Sequence, residues 1–341
     1  MIFNPKVTIA IPVYNVEAFV ERSINSAIDQ DYSNIDILIV YDISYDNSLQ
    51  VVTKALKRSS FPFRIIIKSE VDKGLGNSRN IILDNFTGDY LFFLDSDDYI
   101  EPFTINFLVK EAIENNADIV AASHRSVDED GEILNEFKYD IKRIFNNSSF
   151  KHFVYLKNGY YSRYSWNKLY KATFLRKNNL RYLHNVVEDA VFSFLEIKNI
   201  TKVVLMPNIS LNYLIRESSI TNAVMYNNIS IETAKIYLSI RDYEFSLNDS
   251  QILEDVCSNL DVFFFCYIMT VRDSYKSKNI SKKDKLELCR NAFKTPVIPL
   301  KMFFPLLYSK KKNFLLLLVV KILPYRLNIL VVNLYHKLKS V

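Results

Sequence analysis

Apolar and polar positions follow two rhythms along the first hundred residues. Compact runs at 7–11, 35–40, 64–67 and 90–94, rich in β-branched or aromatic residues, predict strands. Between them, Val16, Phe19, Val20, Ile24, Ala27 and Ile28 recur at helical spacing, with Asn15 as the predicted cap. Val51, Val52, Ala55 and Leu56 mark a second helix, and a third opens at Gly74-Leu75-Gly76 and runs through Ile81 and Leu83. Repeated strand–helix alternation predicts an α/β fold, a mostly parallel sheet flanked by helices. In such sheets ligands bind beyond the carboxyl ends of the strands. Pro12-Val13-Tyr14, Asp42 and Asp95-Ser96-Asp97 all fall there, so they are expected to share one cleft.

The rhythm changes after a further apolar run at 118–122. Asp128-Glu129-Asp130-Gly131 reads as a hairpin turn, and 152–170 is aromatic-rich around Trp166, the only tryptophan. Glu188-Asp189 precede a helical stretch with Val191, Phe194 and Leu195. Residues 203–206 and 209–215 read as two strands around a turn at Pro207-Asn208. From about residue 221 the pattern is helical, most clearly at 229–240 and 256–271. The predicted division is an α/β domain at 1–220 and a mostly helical region at 221–341 with a basic, apolar tail.

Charge sharpens the picture of that tail. The chain of 341 residues carries a net +5, yet eight lysines and arginines and no acid lie from Lys301 onward, leaving the first 300 residues at −3. Positive charge confined to an apolar tail argues against a nucleic-acid binder. It suits an interfacial helix on an anionic membrane surface, with packing on the protein's own core or on another subunit of a homo-oligomer as the alternative. The apolar run at 314–320 is too short to span a bilayer. Cys257, Cys266 and Cys289 are odd in number and lack metal-ligand spacing, and the first five residues do not resemble a signal peptide, so a reducing cytosol is expected.

Four clusters carry candidate chemistry. Asp95, Asp97 and Asp98 follow a buried strand with no lysine or arginine among them; oxygen ligands so placed suit Mg²⁺ or Mn²⁺ with substrate phosphates, or form a solvated turn. Asp42 suits the imide edge or ribose of a nucleotide, or a helix cap, a role for which Asp46 is also placed. Lys73-Gly74-Leu75-Gly76-Asn77-Ser78-Arg79-Asn80 suits a diphosphate at a helix start, or a turn with a salt bridge. It lacks the third glycine of a dinucleotide fingerprint. Glu188-Asp189 suits a single general base, one carboxylate facing a cleft while the other turns aside, or acids favoured by a helix dipole.

Taken in order, these stretches resemble the family-2 glycosyltransferases of the GT-A fold. The resemblance runs from Val7-Thr8-Ile9-Ala10-Ile11-Pro12-Val13-Tyr14-Asn15 through Asp42, Ser78-Arg79-Asn80 and Asp95-Ser96-Asp97-Asp98. It continues through Trp166-Asn167-Lys168, Glu188-Asp189 and Arg216 with Ser218-Ser219, covering about residues 5–222. It implies a Rossmann-like nucleotide-sugar half at about 1–100 and an acceptor half at about 101–220. By position, Asp42 is expected at the base, Pro12, Tyr14 and Ser96 in the nucleotide-sugar pocket, and Arg79 near the diphosphate. Arg216 and Ser219 are expected in a loop over the diphosphate. Asp97 is the expected ligand of Mn²⁺ or Mg²⁺, with Asp95 beside it near the ribose or sugar, while Asp98 serves the following turn. Asp189 is the expected catalytic base and Glu188 its neighbour on the acceptor side.

The implied function is metal-dependent, inverting transfer from a nucleotide sugar, a UDP-sugar by expectation. The implied acceptor is a hydroxyl of a bacterial surface glycan or lipid-linked molecule at the inner face of the cell membrane. A Gln-x-x-Arg-Trp motif is absent, which argues against a processive synthase. One departure stands out: Asp42-Ile43-Ser44 replaces the family's Asp-Gly-Ser. Loss of that glycine restricts the backbone beside the base pocket. It supports the alternative reading, a non-catalytic GT-A-fold binding or assembly protein at the membrane.

Overall fold

In the computed structural model, which describes residues 4–68, 74–157, 159–183, 188–216 and 230–322, the sheet is built outward from β1 (Val7–Val13). Every residue of β1 and of β2 (Ile35–Tyr41) is buried, as a sheet covered on both faces requires. With β3 (Phe63–Ile67) and β4 (Tyr90–Phe93) they form a parallel block in the order β3-β2-β1-β4. Gly88 makes the β1–β4 approach possible: a Cβ there would lie 2.5 Å from Tyr90 O and 2.6 Å from Thr8 N.

Helices α1 (Val20–Ile28), α2 (Ser48–Leu56) and α3 (Leu75–Asn85) connect the block. Val20, Ile24 and Ala27 of α1 share the core with Val52, Ala55 and Leu56 of α2. Asn15 does not cap α1, which starts five residues later. Its backbone is left-handed (φ 48°), and its Oδ1 accepts from Tyr45 N at 2.9 Å, tying the loop after β1 to the loop after β2.

Beyond β4 the sheet becomes mixed. The chain adds β5 (Tyr99–Ile100), α4 (Thr104–Asn115), β6 (Ile119–Val127), β7 (Ile133–Phe137) and β8 (Arg143–Asn146). Then come α5 (Asn147–Lys151), a π-helical turn at His152–Leu156, β9 (Lys168–Lys171), α6 (Ala172–Lys177), α7 (Glu188–Asn199) and β10 (Lys202–Leu214). β9 runs antiparallel between β4 and β6, joining the two halves into one ten-stranded sheet. The hairpin forms at 128–131, joining β6 and β7.

The two strands expected around Pro207-Asn208 are one strand, β10. Its parallel pairing with β6 shifts register between Met206 and Ile209, so the proline, which has no N–H to donate, is absorbed as a bulge.

The chain forms two compact units. The first holds the sheet, up to Phe150 and again from Tyr160 to Arg216; Lys151–Gly159 belongs with the helices of the second. Those helices are α8 (Ile231–Leu247), α9 (Leu253–Lys276), α10 (Lys282–Ala292), α11 (Phe303–Ser309) and α12 (Lys311–Ile322). α9 supplies the buried centre with Val256, Leu260, Phe263 and Tyr267. The three cysteines are buried and unbridged in this unit, and burial pushes their thiols up, Cys257 and Cys266 to about 12 and Cys289 to about 11. They act as small apolar side chains. Among the described residues, no helix is long and apolar enough to cross a membrane. A cavity of about 540 Å³ in the helical unit, lined by Arg241, Asp242 and Arg290 among others, holds none of the candidate site residues.

Candidate active site

Asp42 and Asp95 leave the sheet on either side of β1. Val13 pairs with Tyr41, and Asp42 N donates to Val13 O at 2.9 Å. Ala10 pairs with Phe93, and Leu94 N donates to Ala10 O at 3.0 Å. Pro12 is buried between these two exits, and Tyr14, just beyond, is 43% exposed.

The carboxylate of Asp42 is half satisfied. Its Oδ2 accepts from Lys68 Nζ at 2.9 Å and from Gly74 N at 3.1 Å, whereas its buried Oδ1 has no partner among the described residues. Gly74 sits at φ 107°, a region that favours glycine. Lys68, whose side chain is fully buried, also donates to Gly74 O at 3.1 Å and Ser78 Oγ at 3.0 Å. The sequence reading missed Lys68; its signal was a lysine directly after an apolar strand, level with a candidate site acid. Ile43 is not among the residues with positive φ, so the missing glycine imposes no left-handed backbone here.

Arg79 sits at the centre of a cluster of acids. Its side chain is wholly inaccessible and committed to three carboxylates. Nη2 donates to Asp95 Oδ1 and Oδ2 at 2.9 and 3.3 Å; Nη1 donates to Glu188 Oε1 at 3.0 Å and Asp189 Oδ1 at 2.7 Å. Glu188 and Asp189 do not diverge as expected, because one guanidinium nitrogen draws both inward.

Successive residues of α3 divide this work. Ser78 holds Lys68 and Arg79 holds the acids. Asn80 exchanges two hydrogen bonds with the backbone of Tyr182, at 2.8 and 2.9 Å.

One cation among three acids leaves excess negative charge in a buried place. Burial, with help from Asp189 and Asp97, pushes the Asp95 carboxyl up to about 6 against the pull of Arg79. Burial, with help from Asp189, pushes Glu188 up to about 7. Burial opposes charge on Arg79, but Asp189 and Asp95 outweigh it and keep the guanidinium protonated.

Asp97 pairs with Arg216, whose Nε and Nη2 lie 3.0 and 2.8 Å from Oδ2. The same guanidinium lies over the Phe19 ring at 5.0 Å. Asp98 does not serve the following turn. It is fully buried, and its Oδ1 accepts from Leu214 N at 2.9 Å, fastening the motif to the end of β10. Burial first, then Asp97 and Asp95, raise its carboxyl well above the usual range. Ser96 is buried beside them, and Ser219 lies outside the described residues.

Among the described residues no group of three or more His, Cys, Asp or Glu is arranged to hold a metal. A divalent ion shared with substrate phosphates needs only one or two protein carboxylates. Asp97 suits that role, with its side chain 22% exposed.

Two further features were not legible as site residues. Ser165 Oγ donates to Asp189 Oδ1 at 2.6 Å, the same oxygen that Arg79 holds. Tyr164 and Tyr213 each stack with Trp166, at 4.6 Å (9°) and 5.4 Å (15°). Burial and then the charge of Asp189 raise the Tyr164 hydroxyl, and burial followed by Asp98 raises that of Tyr213, so both rings sense the carboxylates. The Trp166-Asn167-Lys168 motif also has a framework role. Asn167, at φ 58°, donates to Ala122 O and Ser123 O, and Lys168 Nζ meets the fully buried Glu196 at 2.8 Å.

Comparison with known proteins gives the family and the fold. The model of glycosyl transferase family 2 matches residues 8–178, and the chain belongs to that family. Glycosyltransferase GlyA of Streptococcus pneumoniae is 34% identical over 185 residues, 50% of this chain and 25% of its own length. The chain spans between a quarter and just over half the length of such curated relatives. The fold is GT-A: residues 1–349 of TarS from Staphylococcus aureus, in complex with UDP-GlcNAc, align with a TM-score of 0.63 at 16% identity, covering 92% of this chain and 90% of that one. A mannosyltransferase from Pyrobaculum calidifontis, in complex with GDP-Man and Mn²⁺, aligns with a TM-score of 0.55 at 14% identity, covering 98% and 89%.

Proposed function

We propose that the protein is an inverting, metal-dependent hexosyltransferase. It moves a sugar from a nucleotide donor, a UDP-sugar by preference, to a hydroxyl of a bacterial surface-glycan or lipid-linked acceptor. The observation that carries this reading is the Arg79 cluster, which ties Asp95, on the donor side, to Asp189, on the acceptor side. Family membership supports the reaction class, and the nucleotide sugars named for TarS and the Pyrobaculum enzyme support the donor class.

In this reading Oδ1 of Asp42, which has no partner among the described residues, accepts the imide N–H of the base, while Lys68 holds Oδ2. Asp97, with Asp95 beside it, would hold Mn²⁺ or Mg²⁺, which when bound supplies Lewis-acid neutralisation of the leaving diphosphate. Arg216, already beside Asp97, adds positive charge at that end.

On the other face of the sugar, Ser165 and Arg79 both hold Oδ1 of Asp189, leaving Oδ2 to take the acceptor hydroxyl proton. The acceptor oxygen then bonds the anomeric carbon as the bond to the diphosphate breaks, and that electron pair leaves with the nucleoside diphosphate. A single displacement inverts the configuration. The half-exposed Tyr164 offers the acceptor ring an aromatic face beside this base. We place the enzyme in the cytoplasm, peripheral on the inner face of the membrane. Incubation with a panel of UDP-sugars and Mn²⁺, with the product's anomeric configuration read by NMR, tests the proposal; retention, or no turnover of any nucleotide sugar, contradicts it.

A further inference from the structure

The helical unit presents an apolar stripe that its own core does not use. Val297, Leu300, Phe304, Tyr308 and Leu315 follow one another at intervals of three, four, four and seven residues, and are 75, 84, 82, 91 and 42% exposed. Phe304 and Tyr308 stand one helical turn apart on α11, and Leu300 lies in the 3₁₀ turn that leads into it, so these three gather on one face. Val297 precedes that turn and Leu315 lies on α12. The opposite face is occupied. Met302, Leu306, Phe314 and Leu317 are buried, while Lys310 Nζ and Asn313 Nδ2 both bond Asp261 of α9, at 2.8 and 3.0 Å. Packing therefore fixes which side of α11 and its flanks faces outward.

The margins of the stripe are basic. Lys301 and Lys311 are exposed beside it, and the sequence has no Asp or Glu after Glu287. A second copy docking through this face would bring lysines against lysines with no acid between them. A bilayer with anionic headgroups satisfies both parts of the surface: it takes the apolar side chains to shallow depth and pairs the lysines with phosphates. Among the described residues no helix is long and apolar enough to cross a membrane.

We propose that the exposed face of Leu300, Phe304 and Tyr308 is a membrane-docking surface. Leu300, Phe304 and Tyr308 enter the headgroup region of an anionic bilayer, and Lys301 and Lys311 contact lipid phosphates. The proposal rests on the peripheral location given above but not on the transfer chemistry, so vesicle binding is measured without donor or acceptor.

The test is co-sedimentation of the full chain with phosphatidylcholine vesicles, with and without phosphatidylglycerol. Binding is expected to the mixed vesicles and to weaken at high salt. Phe304→Gln with Tyr308→Gln should lower partitioning at least about tenfold. Lys301→Gln and Lys311→Gln should each lower it about fivefold, on anionic vesicles only. Thermal unfolding of these variants should match the parent, because all four side chains are exposed. Equal binding to neutral and anionic vesicles, or partitioning unchanged by the double aromatic variant, overturns the proposal. So does a lipid-free dimer that the double aromatic variant converts to monomer, since the stripe would then be a self-association face.

Discussion

Arg79 and Asp189 are joined by a 2.7 Å hydrogen bond that lands on Oδ1, the same carboxylate oxygen that accepts from Ser165. Two donors on one oxygen fix the plane of the carboxylate, and among the described residues its other oxygen accepts no hydrogen bond. The same guanidinium holds Asp95, so one side chain sets the geometry of both carboxylates.

Arg79→Lys should therefore damage both stability and turnover. A lysine is a point charge and cannot reproduce the fork that bridges three acids. Unfolding free energy should fall by about 3 kcal/mol in urea titration. Transfer should fall by about a hundredfold as the reacting groups lose their alignment.

Ser165→Ala removes one of the two bonds on Asp189 Oδ1 while Arg79 retains the other. Steady-state kinetics should show kcat reduced about tenfold, the scale of one hydrogen bond to a charged group. KM for the donor should stay unchanged, because Ser165 touches the base and not the nucleotide pocket.

Lys68→Met leaves the Asp42 carboxylate buried with only Gly74 N as donor, and should cost about 3 kcal/mol of stability. Adding Asp42→Asn to that variant should restore most of the loss, since removing both charges avoids an unpaired buried ion. Urea denaturation of the four-member cycle reads the coupling directly.

The acid cluster also sets a pH dependence of known sign. Asp95 and Glu188 are raised in the folded protein from 3.8 and 4.5 to about 6 and about 7. Between those values the native state holds protons that the unfolded chain has released. Their stabilising effect is complete below the unfolded values and is lost as pH rises through the folded ones. Melting temperatures of metal-free protein should show a decline from this pair between pH 3.8 and about 7, and Glu188→Gln should flatten the upper part of that decline.

Much of the parallel block was legible because β1, β2 and β4 are continuous apolar runs that only strands covered on both faces need. β10 was misread because a proline usually ends a strand, whereas here the register of β6 absorbs it. The site acids could be placed at strand ends from periodicity, but their partners could not. Arg79 lies 110 positions from Asp189, and Asp98 finds Leu214 N after 116, so only the closed sheet brings them together. Lys68 and Ser165 were missed for the same reason: each is an ordinary residue type whose role comes from the carboxylate that folding places against it.

The central claim is that Asp189 is the base and Asp42 belongs to a separate donor pocket. The most direct measurement compares UDP binding and sugar transfer in Asp189→Asn. The account predicts UDP affinity close to that of the parent, by calorimetry with Mn²⁺, and transfer reduced about a thousandfold, the scale of a lost general base. Full turnover by Asp189→Asn would contradict it.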